Sequence, residues 1–278
     1  MQRLALAISL LVLGAVSAFA ADLAPRYTKA PPVVAPVYNW TGFYVGANVG
    51  GAWSDLDPTT STVFSPTGYF AASSIPAIAV VGDQHINRSN FTGGLTAGYN
   101  WQVSTLVAGV EADFNYFGVK GSATGTGIYP CCAPTAFTIT STASADWLVT
   151  LRGRIGLLAT PNLLLYATGG AAISELKANY RFTDTFATAL ETGSISSTRL
   201  GWTVGAGGEY AFGNGWSAKA EYLYVDLGSA SVNSTNLTAF TPPIAFPTNV
   251  FTHTIELRSN IARVGLNYKF SGPVVAKY

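Results

Sequence analysis

Beyond Thr41 the chain alternates apolar and polar residues with period two, the repeat of a strand whose two faces meet different surroundings. Eight segments carry this alternation: Thr41–Trp53, Asn90–Val103, Leu106–Val119, Ala145–Ala159, Leu163–Ala178, Arg199–Phe212, Trp216–Ala230 and Leu257–Phe270. Each exceeds the roughly 9–11 residues that a tilted strand needs to cross a bilayer. In the fourth, Trp147, Val149, Leu151, Gly153, Ile155 and Leu157 share one face, opposite Thr150, Arg152, Arg154 and Gly156. In the third, Val110, Ala112, Phe114 and Tyr116 oppose Glu111, Asp113 and Asn115. The seventh sets Ala218, Ala220, Tyr222 and Tyr224 against Lys219 and Glu221. The eighth sets Ala262, Val264, Leu266, Tyr268 and Phe270 against Arg263, Gly265 and Asn267. Gly42, Gly46 and Gly50 fall on the polar face of the first segment, where small residues suit a narrow, filled interior.

Connection lengths turn these strands into a topology. Ser104-Thr105, Thr160-Pro161-Asn162 and Gly213-Asn214-Gly215 are tight turns. Ser54–Ser89, Lys120–Ser144, Asn179–Thr198 and Ser231–Glu256 are long and rich in Ser, Thr, Asn, Gly and Pro. Short and long links alternate strictly, as short periplasmic turns and long external loops do in outer-membrane barrels. Trp101, Trp147, Tyr210, Phe212, Trp216, Tyr268 and Phe270 lie near strand ends, in the manner of interfacial girdles. The expected fold is therefore all-β: an eight-stranded antiparallel up-and-down transmembrane β-barrel with short periplasmic turns and four long external loops.

Composition points the same way. Only 10% of residues are charged, and glycine is abundant at 29 residues; ordinary soluble domains carry about 25% charge. No apolar run after the first twenty residues approaches the length of a spanning helix, which leaves a closed barrel to satisfy every backbone group in lipid. Arg3, the apolar stretch Leu4–Val16 and the Ala18-Phe19-Ala20 cleavage pattern predict a signal peptide over residues 1–20. Its apolar core of about 13 residues is short of the roughly 20 that a membrane helix needs. Residues 21–39, with Pro25, Pro31, Pro32 and Pro36, read as an extended periplasmic tether. The barrel would occupy residues 40–270, and a short periplasmic tail residues 271–278. The formal net charge of +1 falls to about zero once Arg3 is removed, and no basic patch stands out, so nucleic acid is not an expected partner.

The candidate chemistry lies inside the barrel. Glu111, Asp113, Glu209 and Glu221 share the inward face with Arg152, Arg154, Lys219 and Arg263. An eight-stranded bore leaves little room for water, and desolvated charges need partners, so these eight are expected to pair as a lumen charge network. A general porin is disfavoured on the same grounds, because wide channels need about 16–18 strands. Elsewhere the chemistry is sparse. Cys131 and Cys132 are adjacent and form neither a Cys-x-x-Cys nor a metal motif, which leaves a vicinal disulfide open. His85 and His253, the two histidines, fall in expected loops. Glu256 and Ser259 follow His253 on alternate faces, which gives no catalytic triad, so no catalytic, cofactor or metal residues are assigned. No phosphate loop or dinucleotide fingerprint occurs.

Local signatures then add a family. Asn39-Trp40-Thr41-Gly42-Phe43-Tyr44-Val45-Gly46, the Ala21-Asp22-Leu23 start, the Pro-rich tether and the closing Gly265-Leu266-Asn267-Tyr268-Lys269-Phe270 resemble the Omp25/Omp31-type outer-membrane proteins of alphaproteobacteria. The likeness covers essentially the whole mature chain, more specifically at its ends than in its loops. The last strand also resembles the signal read by the barrel-assembly machinery, with Arg263, Gly265, Tyr268 and Phe270 in the matching positions. Many such proteins end on the final Phe, whereas Ser271–Tyr278 follow here. The resemblance implies an abundant structural protein in contact with outer-membrane lipid and lipopolysaccharide, contributing to envelope integrity rather than catalysis. It also implies peptidoglycan as a partner, coupled through Ala21 and Asp22. Other members are described as haemin-binding or porin-like, which makes His85 and Tyr129 candidate ligands. A lipid-modifying enzyme is the remaining, weaker alternative.

Overall fold

A computed structural model of the protein describes residues 38–270; the expected signal peptide with Arg3, the tether through residue 37 with Ala21 and Asp22, and the tail 271–278 lie outside the described residues. In chain order the elements are β1 (Gly42–Thr62), α1 (Ser74–Gly82), β2 (Ile86–Val103), β3 (Leu106–Ile128), β4 (Ala136–Thr160), β5 (Leu163–Asp184), β6 (Leu190–Gly213), β7 (Trp216–Ser234), β8 (Thr238–Ala239), β9 (Ile244–Ala245) and β10 (Phe251–Lys269). Eight of these strands pair antiparallel in the order β5-β4-β3-β2-β1-β10-β7-β6, and a β5–β6 pairing closes the ring. The tight turns stand where the sequence puts them. Asn214 and Gly215 take positive φ of 53° and 82°, the conformation that lets a two-residue hairpin follow the strand twist.

The strands run much further than the alternation alone predicts. Residues 54–62, 86–89, 120–128, 136–144, 179–184, 190–198, 231–234 and 251–256, expected in loops, belong to β1, β2, β3, β4, β5, β6, β7 and β10. The loop-end connections shrink to 63–85, 129–135, 185–189 and 235–250, and the first of them contains α1. Bulges explain part of the discrepancy. Pairing slips between Tyr116 and Val119 on β3, between Ser144 and Val149 on β4, and between Glu256 and Arg258 where β10 meets β7. On β4 the slip inverts the faces, so that odd residues up to Ala145 point inward and even residues from Leu148 do so. A period-two reading loses phase there.

Two belts of aromatic residues divide the barrel. Phe43, Trp101, Tyr210, Phe212, Trp216 and Phe270 face outward near the turns, and Trp53, Phe91, Tyr116 and Trp202 face outward further up. About ten residues of strand separate the belts, which matches the hydrocarbon thickness. Between them the outer wall is apolar, with Val45, Val49, Leu95, Leu151, Ile155, Val264 and Leu266 exposed. Tight turns at this end place it on the periplasmic side by the rule for outer-membrane barrels.

Above the upper belt the ring opens. The β2–β3 ladder ends at Gly93–Tyr116 and the β6–β7 ladder at Trp202–Asp226. Meanwhile β3-β4-β5-β6 and β7-β10-β1, the latter joined by β2 as far as Ile86, continue upward as two separate sheets. Their inner faces supply an apolar core that includes Leu56, Phe117, Leu176, Ile195, Leu227 and Ile255. A second cluster around Phe70, Phe137, Phe182 and Phe251 lies beyond it.

Candidate functional site

Period-two geometry puts all eight of the singled-out charges on the inner wall of the turn-side half, each no more than 5% exposed. Some pair with the strand beside them. Arg152 on β4 bonds Glu111 and Asp113 on β3, the latter at 2.8 Å, and Arg263 on β10 bonds Glu221 on β7 at 2.6 Å. Other bonds cross the bore. Lys219 on β7 reaches Glu111 on β3 at 2.8 Å, and these strands lie four places apart in a ring of eight, on opposite walls. Arg152 also reaches Glu221 at 2.9 Å, and Arg263 bonds Asp113 from across the bore. Glu209 stands in register with Lys219, yet its cation is Arg154, 3.0 Å away. Arg154 also lies 3.6 Å from Glu111, so all eight charges join one connected set with four carboxylates and four cations, the balance that buried charges require.

Neutral groups complete the shell. Tyr44 donates to Glu111 at 2.7 Å and Tyr166 to Glu221 at 3.2 Å. Ser217 and Asn267 donate to Glu209 at 2.6 and 2.8 Å, and Thr150 donates to Asp113 at 2.7 Å. The Arg154 guanidinium lies 5.0 Å from both the Tyr44 and the Tyr166 ring centroids, close enough for cation–π attraction. Tyr44 was findable, since it shares its face with Gly42 and Gly46. Small residues make the space: a Cβ at Gly46 would collide with Asn267, and one at Gly265 would lie 3.3 Å from the Lys219 side chain. Below the charges Trp40, Val107, Leu164, Tyr166 and Ala211 form an apolar floor at the turn end.

A second buried polar group sits above, in the loop-side half. His253, expected in a loop, is a β10 residue with no exposure. Thr60 Oγ1 lies 2.9 Å from its Nδ1, and Glu191 Oε1 lies 3.1 Å from its Nε2. Hydroxyl, imidazole and carboxylate follow one another in the order of a catalytic triad. All three are nevertheless buried, His253 stacks on Tyr180 at 4.4 Å, and apolar clusters lie on both sides, so a substrate has no approach. Glu256 and Ser259 are engaged elsewhere, with Arg258 and Ser54. Thr60 and Glu191 are not singled out by the sequence because the segments carrying them read as loops, and His253 reads there as a loop residue.

The remaining candidates are dispersed. His85, after α1, is exposed and bonded to Asp57, which holds its pKa above the ordinary value. Tyr129 donates to Asp184 at 3.0 Å, and Asp184 also accepts from Tyr69 at 2.5 Å. Burial and that carboxylate push both phenols upward. His85 and Tyr129 thus have different partners and form no shared ligand pair. Cys131 and Cys132 are joined in a disulfide. Among the described residues no group of three or more His, Cys, Asp or Glu is placed to hold a metal. In the last strand Arg263 joins the charge network, while Tyr268 and Phe270 contact Trp216 and Phe43 on the outside, at 5.0 and 5.8 Å between centroids.

Comparison with known proteins fits this architecture. The model of a family described as "Outer membrane protein beta-barrel domain" matches residues 8–270. The 31 kDa outer-membrane immunogenic protein of Brucella melitensis is 34% identical over 265 residues, covering 94% of this chain and 97% of that protein. The 25 kDa outer-membrane immunogenic protein of Brucella abortus is 28% identical, covering 91% of each. A 22 kDa outer membrane protein of Rhizobium leguminosarum is 30% identical, covering 70% of this chain and 68% of its own length.

Proposed function

The chain belongs to the outer membrane β-barrel protein family, and from that premise we propose that it is a structural and surface protein of the envelope whose lumen is closed to solutes. The observation that carries this reading is the Lys219–Glu111 bond at 2.8 Å between opposite walls. A bore wide enough for a solute cannot be bridged by one lysine and one glutamate. The apolar floor under Trp40 and the apolar core above the charges add two further barriers in series.

Relatives named as immunogenic support a surface-exposed loop end, and the protein acts by contact and by mechanical continuity rather than by turnover. Within this reading Arg263, Gly265, Tyr268 and Phe270 present the last strand to the assembly machinery, and Ala21-Asp22 supplies the peptidoglycan link. Lipopolysaccharide meets the wall at the upper aromatic belt. Planar-bilayer recording on the refolded protein tests the closed lumen: the expected trace has no large, steady channel, and a nanosiemens-scale open state would overturn it. Mass spectrometry of muramidase digests tests the link, which predicts a muropeptide on a terminus at Ala21 and fails if that terminus is always free.

A further inference from the structure

The two seams that open above the upper belt are finished differently. Past the end of β2, α1 takes the place of a strand between β1 and β3. A Cβ at Gly125 or Gly127 would lie 2.9 or 2.8 Å from Val81 of the helix, so the contact is close. Gln84 then donates its side chain to the Ile139 carbonyl and its backbone N–H to the Pro58 carbonyl, both at 3.0 Å. Helix and glutamine together span that seam.

Between β6 and β7 the cover stops early. Leu190 pairs with Thr238 of β8. The Asn236 side chain imitates a neighbouring strand at Thr192, accepting from its N–H at 3.2 Å and donating to its carbonyl at 2.8 Å. The next sheet partner is Asp226, opposite Trp202. Backbone groups of alternate residues point to the same side of a strand. The N–H and C=O of Ser194, Ser196, Thr198 and Leu200 therefore face the seam with no sheet partner. Natural edges are guarded by Lys, Pro or bulges. Residues 192–198 read Thr-Gly-Ser-Ile-Ser-Ser-Thr, and their ladder with β5 is unbroken.

The side chains along the edge specify what fits. Ser194, Ser196 and Thr198 face outward and are exposed, whereas Ile195 faces inward beside the core that also holds Ala230 and Val232. At the lower end Arg199 has a buried Nε with no hydrogen-bond partner. Its guanidinium lies 3.9 Å from where a Gly228 Cβ would stand.

We propose that the β6 edge from Ser194 to Leu200 is a strand-addition site for an extended segment of another protein outside the cell. That segment alternates apolar residues, facing the Ile195–Val232 side, with small polar residues facing solvent. A carboxylate at its end meets Arg199, the one cation of this edge. Main-chain bonds supply affinity and the alternation supplies selectivity, as in other strand additions. The site lies in the loop-side half and does not depend on the closed lumen.

The test uses the full chain in lipid nanodiscs and a labelled peptide in which Thr and Val alternate and Glu closes one end. In the free protein, the Ser194, Ser196 and Thr198 amides should exchange with solvent at least about 100-fold faster than those of Ile195 and Ser197, which face β5. The peptide should protect those three amides. Ser196→Pro removes an N–H that faces the seam, a substitution that edge strands tolerate, and should weaken binding more than about tenfold. Arg199→Gln should weaken the Glu peptide about tenfold and leave a Gln-ended peptide unchanged. Slow exchange at the three amides in the free protein would overturn the proposal, as would absent protection by the peptide or binding indifferent to Ser196→Pro. Protection that rises with protein concentration alone would assign the edge to a second copy of this chain and would overturn it too.

Discussion

Along β1, outward residues run Phe43, Val45, Ala47, Val49, Gly51 and Trp53, and inward ones include Tyr44, Asn48 and Gly50. Ten residues later on the same strand the outward residues are Asp55, Asp57, Thr59 and Ser61, and the inward ones include Leu56 and Pro58. The other long strands reverse in the same way. In the turn-side half lipid surrounds the wall, so apolar side chains face out and the interior holds charges. In the loop-side half water surrounds the wall, and two sheets bury Phe, Ile and Leu between them as a soluble sandwich does. Pro58 marks the transition: β2 last pairs with β1 at Leu56–Ile86, so a residue without an N–H is tolerated just above it. The two halves therefore draw stability from different sources. Ion pairs and closed ladders hold the first, and apolar burial from water holds the second.

Substitutions that respect one half and violate the other should separate these sources. The largest effect is expected for Glu111→Lys, which places a fifth cation against Arg152, Arg154 and Lys219. Urea unfolding of vesicle-embedded protein should show a loss of about 3–5 kcal/mol, the cost of breaking a buried pair. Arg152→Glu in the same molecule should recover part of it, and strictly additive losses would mean that the two charges do not meet. Next comes Phe182→Ala in the loop-side core. A cost of about 3–5 kcal/mol is expected for an aromatic truncation in an aqueous core, with the turn-side fluorescence of Trp101 and Trp216 unfolding after the loop side.

Val49→Arg and Thr59→Arg sharpen the comparison, because both sites face outward on one strand. The first should cost about 2–4 kcal/mol near the bilayer midplane, and the second should stay within about 0.5 kcal/mol. Equal costs would mean that both sites meet the same solvent. The smallest effect concerns His85. Asp57 raises its pKa in the folded protein, so the stabilising contact is complete below about pH 6.5 and is lost as pH rises through the folded value. An NMR titration of His85 should have its midpoint above that of a model imidazole, and Asp57→Asn should return most of the difference.

Legibility in the sequence followed the same division. Glu111, Arg152, Lys219 and Arg263 stood out because a charge every second residue among Val, Leu and Phe has one geometric explanation. In the loop-side half the alternation is also present, as in Phe137, Ile139 and Ser141 against Thr138, Thr140 and Thr142. There the polar residues are Ser and Thr, the composition of loops, and the bulges near Gly118, Asp146 and Gly228 interrupt the count. Thr60 and Glu191, the partners of His253, are illegible for that reason. The partner of Lys219 was beyond reach for another reason. Strand order predicts neighbours such as Glu209, whereas Glu111 faces Lys219 only once the ring has closed to a diameter that side chains span.

That contact across the bore is the centre of the account, and a double-mutant cycle with Glu111→Gln and Lys219→Met measures it most directly. Unfolding free energies of the four proteins in the same vesicles give the coupling. A bridge between opposite walls predicts a coupling energy of about 0.5–3 kcal/mol, the range for residues in direct contact. Two losses that simply add would place Glu111 and Lys219 apart, with water between them and an open lumen.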